Sequence, residues 1–410
     1  MDRQQMRQII MDTAYIRTGG SPEELRCARY LQNKCKELGC DARLEPFEVD
    51  FATVQEARLS MDGWEIPCTG YFCCGSGEIE APLLYMPEEN TYLISQCQGK
   101  IVLLGGRVRY WVYQDLVDNG ALGFITYSGD TNYPDKDVDQ RRLRANVSRG
   151  KKILGVNVHA KDAVELARRA GQRARIALRQ EEYTAQSHNV IMDLPGEQEE
   201  FLVLTAHYDT TSLSVGAYDN MSGCVALLAV AEYFAQRTHQ YGLRFIWCGS
   251  EEQGLLGSIA YCQAHKEELE KAVLNVNIDM IGSVMGAFDA RCTAEDRLTH
   301  YIQYMADELE FPLKAKSGIY SSDSTSFADI GVPAVSFARN APTNTASIHD
   351  RYDTAAVLSE NQMEKDIGFV ISFVDRIVNA GRCPVARKIP EKLKGQIDVY
   401  MDRKREEENE

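Results

Sequence analysis

Five short segments of this chain carry residue types that could hold metal ions and move protons. They are Ala206-His207-Tyr208-Asp209, Tyr218-Asp219-Asn220-Met221-Ser222-Gly223, Gly249-Ser250-Glu251-Glu252-Gln253-Gly254, Asn277-Ile278-Asp279-Met280 and Ser347-Ile348-His349-Asp350. Three of them end short apolar runs, and one opens a helical stretch. In open α/β sheets, sites form beyond the carboxyl ends of the strands, so two histidines and several carboxylates are expected on one rim. A single acid at a strand end serves equally well as a structural partner. Three together do not: Asp219, Glu252 and Asp279 lie in segments with no nearby Lys or Arg in sequence. Gathering them partly buried and uncompensated would cost several kcal/mol each. Two divalent cations resolve the conflict, their four positive charges balancing three carboxylates and one bridging hydroxide.

Imidazole with carboxylate selects zinc, with manganese or cobalt as substitutes, and disfavours calcium, which seldom takes histidine. Asp209, two residues after His207, could accept the other ring N–H and fix the tautomer. Asp353 could cap the loop that carries His349. Glu251 and Glu252 are adjacent and must point in different directions, so one can bind metal while the other faces the bound water as a general base. Two ions about 3.5–4 Å apart acidify a shared water and clamp a tetrahedral intermediate; the chemistry implied is metal-assisted amide hydrolysis. No H-E-x-x-H, G-x-S-x-G, Walker loop or dinucleotide glycine fingerprint offers another chemistry. Of the seven histidines, His239, His265 and His300 lie in charged stretches and are expected in solvent, His188 is expected to be structural, and His159 is expected to be surface or core filler.

The elements that must position these groups form an α/β fold: a mixed, mainly parallel sheet with helices on both faces, plus a smaller inserted α+β domain. Short apolar runs at Val190–Asp193, Phe201–Ala206, Arg244–Cys248, Val273–Ile278 and Ala334–Ala338 read as buried strands. Helices are expected around Ser222–Arg237, Leu255–Lys271 and Asp296–Glu310, an alternation that implies a sheet covered on both sides. Near the start, Ser21 is an N-cap, Pro22 takes the first turn and Glu24 completes a capping box. Residues 47–180 change texture to short strands and small helices, with strands at Ile101–Leu104, Ala121–Tyr127, Ile153–Val158 and Ala174–Leu178. Residues 1–46 and 181–385 then form one discontinuous domain. The charged tail, 386–410, reads as an exposed, fraying helix.

A net charge of −15 argues against nucleic acid, because a phosphate binder needs a concentrated basic face. No stretch approaches the roughly 18 apolar residues of a membrane span, and the opening Met-Asp-Arg-Gln-Gln has no apolar signal core. Twelve cysteines without a C-x-x-C pair are expected as thiols, mostly buried small hydrophobes. The expectation is a cytoplasmic protein acting on small peptides, without nucleic acid or membrane partners and with a homodimer possible.

The series His207-Tyr208-Asp209, Asp219-Asn220-Met221-Ser222-Gly223, Glu251-Glu252-Gln253-Gly254, Asp279-Met280 and His349-x-x-x-Asp353 resembles the co-catalytic-zinc exopeptidases of peptidase family twenty-eight, which include leucyl aminopeptidases and glutamate-carboxypeptidase-like enzymes. Ser322-Asp323-Ser324-x-x-Phe327-x-x-x-Gly331-Val332-Pro333 is similar to the family's region before the last ligand. The resemblance implies two zinc ions per chain: His207 and Asp279 on one, Glu252 and His349 on the other, Asp219 bridging, and Glu251 as the base. It also implies a cis bond at Asp219–Asn220 and a protease-associated-type insert over 47–180. The sequence departs from the family at Ser324, where many members have His, and at Ile348, which replaces a carbonyl-polarising Tyr; Tyr320 could serve instead.

Release of N-terminal amino acids is the expected reaction. Arg339 and Arg351 keep open a carboxypeptidase or dipeptidase acting on acidic peptides. Cyclotransferase chemistry, as in glutaminyl cyclases, uses one zinc and fits the five-ligand set less well. A receptor-like binding protein should have lost at least one motif. Tyr320, Phe327 and Phe337 could line a hydrophobic subsite or belong to the core.

Overall fold

Alternating apolar runs and amphipathic helices build two compact units, one from Met1–Val49 with Gln186–Glu410 and one from Asp50–Ala185. The computed structural model describes residues 1–106, 108–132 and 138–405. The unit boundaries fall inside two long strands, Ala42–Met61 and Arg173–Leu194, a few residues beyond the expected 46/47 and 180/181.

In the larger unit, chain order is α1 (Arg3–Asp12), α2 (Pro22–Glu37), β1 (Arg173–Leu194, through its last residues), β2 (Phe201–His207), α3 (Ser222–Phe234), β3 (Gly242–Cys248), α4 (Leu256–Ala264), β4 (Ala272–Ile278), β5 (Ala287–Thr293), α5 (Asp296–Glu308), β6 (Leu313–Ser317), α6 (Ser324–Asp329), β7 (Ala334–Asn340), α7 (Glu360–Val378) and α8 (Glu391–Tyr400). Spatial strand order is β6-β5-β7-β4-β2-β3-β1. The four central strands, β7, β4, β2 and β3, run parallel, whereas β1 is antiparallel to β3 and β5 to β7.

Each central strand is buried along most of its length because successive side chains enter different cores. Leu202, Leu204 and Ala206 of β2 join a large core with α1, α2, α3 and α7. Phe201 and Val203 point the other way, against Tyr261 and Cys262 of α4 and Phe327 of α6. The Ser21 hydroxyl accepts the Glu24 N–H at 3.1 Å, as the capping pattern requires. The Glu24 carboxylate, by contrast, accepts from Gly20 N and not from Ser21 N.

The smaller unit has its own core around Val102, Phe124, Val156 and Ile176. Strands Gly77–Met86, Ile101–Leu104, Gly123–Ser128 and Leu154–His159 run parallel, edged by antiparallel Cys68–Gly70 and the first part of Arg173–Leu194. His159 is buried and caps the helix Ala160–Arg168.

Three expectations are corrected. Ala174–Leu178 and Val190–Asp193 are parts of a single 22-residue strand; the exposed Glu181-Glu182-Tyr183 stretch between them hides its continuity, since a solvated strand segment shows no apolar signal. His239 is buried, its Nδ1 2.6 Å from Tyr241 O, so it is not solvated. The tail helix α8 is not simply exposed: Ile389, Leu393 and Ile397 bury against Ala328 and Ala334. The last five residues, 406–410, lie outside the described residues. All twelve cysteines are free and nine are buried. Among the described residues no helix is long and apolar enough to cross a membrane.

Candidate metal centre

The carboxyl ends of β2, β3 and β4 lie side by side because these strands are parallel neighbours: Cys248 is paired with His207, and Asn277 with Thr205. His207 closes β2, Glu251 and Glu252 come just after β3 in a tight turn, and Asp279 comes just after β4. Asp219 belongs to the segment Ala217–Met221 that leads into α3, and its bond to Asn220 is cis, as the resemblance implied. Asn220 ties this segment to the end of β4, donating to Ile278 O at 3.0 Å and accepting from Met280 N and Gly223 N.

Gly223 is required by this close approach. A Cβ there would lie 2.3 Å from Ile278 O and 2.4 Å from Asn220 Oδ1. Both neighbours are fixed, so Gly223→Ala should cost about 1–3 kcal/mol, read as a lower thermal midpoint. An unchanged midpoint would show that α3 can shift away from β4 freely.

Two triads result, each with its ligand atoms within 4.8 Å of one another: His207, Asp219 and Asp279, and Asp219, Glu252 and His349. His207 Nε2 is 3.1 Å from Asp219 Oδ1 and 3.6 Å from Asp279 Oδ1. His349 Nε2 is 3.0 Å from Asp219 Oδ2 and 3.1 Å from Glu252 Oε1. Ligand atoms about 2.1 Å from a tetrahedral zinc stand about 3.4 Å apart, which these separations fit. The buried Asp279 Oδ1 has no hydrogen-bond partner, which leaves an acceptor directed at the His207–Asp219 side of the triad and available to a cation.

The electrostatics agree. Burial alone would push the Asp219 carboxyl up, but the His207 and His349 imidazoles hold it far below the usual carboxylate range. Burial would lower the His349 pKa, yet Glu252 and Asp219 push it up to about 11. A site that draws protons onto both imidazoles is built for positive charge, and zinc fits its donor set.

Glu251 belongs to neither triad. Its Oε2 lies 4.0 Å from His207 Nε2, and burial with nearby Glu252, Asp323 and Asp279 raises its pKa well above the usual range despite His207. Asp209 stands 3.4 Å from His207 Nδ1, a contact without hydrogen-bond geometry. Its carboxylate accepts instead from Glu251 N at 2.9 Å and Glu252 N at 3.1 Å, so it holds the acidic turn more firmly than the ring. Asp353 accepts from Tyr218 N, Asp219 N and Ser214 Oγ; it caps the Asp219 segment rather than the loop that carries His349. The Tyr320 hydroxyl is held protonated by burial and by Asp279, Asp219 and Glu251, the charges that surround it.

Several sequence expectations change here. Phe327 and Phe337 are fully buried core residues and do not line a subsite. Ser324 is buried against Ser336 Oγ at 2.7 Å. The Arg339 guanidinium is spent internally, on both Asp366 oxygens and Gly286 O, which removes it as a holder of a substrate carboxylate. Sequence reasoning missed Arg17, which donates from a fully buried position to Tyr208 O, Val215 O and Gly216 O and so shapes the loop between His207 and Asp219. It also assigned Glu24 only to a helix cap. Both act across about 200 residues of sequence, where no local pattern could reveal them.

Residues 189–373 match the sequence profile of peptidase family M28. The chain is 25% identical to Aminopeptidase YwaD of Bacillus subtilis over 409 residues, covering 94% of this chain and 86% of the relative. Among solved structures it resembles a zinc aminopeptidase from Bacillus subtilis, with a TM-score of 0.77, 22% identity and coverage of 96% and 99% of the two chains. An aminopeptidase from Aneurinibacillus sp. strain AM-1 gives a TM-score of 0.75 at 23% identity, covering 93% and 95%.

Proposed function

Because residues 189–373 match the profile of peptidase family M28, we propose that this chain is a two-zinc aminopeptidase that releases N-terminal residues from peptides. The observation that carries the reading is the pair of triads sharing Asp219, with Glu251 beside but outside both. In this reading His207 and Asp279 would hold one ion and Glu252 and His349 the other, with Asp219 available to both. When bound, two such ions acidify a shared water and polarise the scissile carbonyl.

The protein's own groups do the rest. Glu251 takes a proton from the water as its oxygen adds to the carbonyl carbon, then returns that proton to the amide nitrogen as the C–N bond breaks. Asp209 holds the backbone of Glu251 and Glu252 so that one side chain faces the water and the other the ligand set. Tyr320 donates its hydroxyl hydrogen bond to the carbonyl oxygen as charge develops there. The acid-rich rim suits a free α-ammonium group, and the internal pairing of Arg339 with Asp366 speaks against capture of a C-terminal carboxylate. The aminopeptidase names of the relatives point the same way. In this reading Asp50–Ala185 is a protease-associated-type insert, and twelve thiols without a disulfide favour a reducing cytoplasm.

The test is elemental analysis beside hydrolysis of aminoacyl chromophores. About two zinc ions per chain are expected, with chelator-sensitive release from free but not N-blocked substrates, restored by zinc. Activity confined to acidic peptides with a free C-terminus would move the assignment to a carboxypeptidase. A protein that binds no zinc on reconstitution would not be an enzyme of this kind.

A further inference from the structure

Glu24 is a fully buried acid on α2 that the proposed chemistry does not use. Four donors end on it: Gly20 N at 2.6 Å on Oε2, and Ser187 Oγ at 2.8 Å, Ser250 N at 2.9 Å and Ser250 Oγ at 3.2 Å on Oε1. Ser250 immediately precedes Glu251 and has φ +53, a left-handed conformation that a residue with a Cβ adopts only when its surroundings impose it.

The surroundings are tight. A Cβ on Gly19 would lie 2.2 Å from Ser250 Oγ, and one on Gly249 would lie 2.9 Å from Glu24 Oε1. Gln253 closes the other end of the turn by donating to Gly19 O at 2.7 Å. With Asp209 taking the N–H groups of Glu251 and Glu252, three consecutive N–H groups end on two carboxylates from distant parts of the chain.

We propose that Glu24 is a positioning residue for Glu251 and Glu252, acting through the left-handed turn at Ser250. The proposal rests on the peptidase reading for the roles of those two acids. The two carboxylate oxygens take all four donors between them, three on Oε1 and one on Oε2. Glutamine keeps one accepting oxygen but turns an NH2 toward the Gly20 N–H. Glu24→Gln should therefore fall between the native chain and Glu24→Ala. Supporting groups around metal ligands are typically worth about 10- to 100-fold in metal affinity or activity.

The experiment measures kcat, KM and thermal midpoint for the zinc-loaded variants, and calorimetric zinc titration of the metal-stripped proteins. For Glu24→Ala, kcat should fall about 10- to 100-fold with KM little changed, and one zinc equivalent should bind more weakly; Glu24→Gln should recover part of both. A role confined to holding α2 would lower the thermal midpoint and leave kcat and zinc affinity alone. Folded Glu24→Ala with native kcat and native titration overturns the proposal. Should Glu24→Ala not fold, Glu24→Gln and Ser250→Ala decide: native kcat in both overturns it, and reduced kcat at unchanged KM in both supports it. A native protein that binds zinc but cleaves no peptide would overturn the peptidase reading instead, and the titration would still judge Glu24, weaker binding in Glu24→Ala supporting its role and unchanged binding rejecting it.

Discussion

Replacing Glu251 with glutamine should lower kcat by about 10²- to 10⁴-fold, the usual contribution of a general acid–base group, with metal content and thermal midpoint unchanged. The reasons are geometric. Glu251 is absent from both ligand triads, yet its carboxylate is 4.0 Å from the His207 nitrogen that faces Asp219 and Asp279. Its backbone is fixed by Asp209, so an amide of the same shape should occupy the same place without being able to take a proton. Glu252→Gln makes the contrast. Its carboxylate lies 3.1 Å from His349 Nε2, so that variant should lose metal first and activity as a consequence. Elemental analysis with steady-state kinetics separates the two. Near-native turnover in Glu251→Gln would remove Glu251 from the base role, and metal loss in it would make it a ligand.

Much of this arrangement was legible in the sequence because the site sits where periodicity ends. Apolar runs such as Phe201–His207 announce buried strands, and residues just beyond the carboxyl end of a parallel strand are forced onto the same rim. The uncompensated charge of Asp219, Glu252 and Asp279 is visible without a structure. Contributions that depend on distant partners escaped. Arg17, Glu24 and Asp353 act on the site by hydrogen bonds to segments between about 130 and 230 residues away, and each has an ordinary local explanation such as a cap or a surface charge. Arg339 was misjudged for the same reason, since its partner Asp366 lies on a helix whose inward face only packing reveals. Phe327 and Phe337 show the converse: nearness to a motif in sequence says nothing about which face of an element a side chain takes.

Asp219→Asn should be as damaging by another route. The two oxygens of Asp219 are divided between the triads, Oδ1 3.1 Å from His207 Nε2 and Oδ2 3.0 Å from His349 Nε2, so each half of the site depends on the one carboxylate. An asparagine offers one acceptor, turns a donor toward the other half and removes a negative charge shared by the two triads. At least one ion per chain should be lost. Because metal-based charge stabilisation is worth several kcal/mol and each 1.36 kcal/mol is tenfold in rate, activity should fall on the order of 10³-fold even when excess zinc is supplied. His349→Ala should differ in kind: it touches one triad alone and should empty that half, leaving the ion held by His207, Asp219 and Asp279. Zinc titration distinguishes them, with one tight equivalent expected for His349→Ala and weakened binding at both for Asp219→Asn. If Asp219→Asn retained two tight ions, the two triads would be independent sites, and the shared-carboxylate scheme would have to be abandoned.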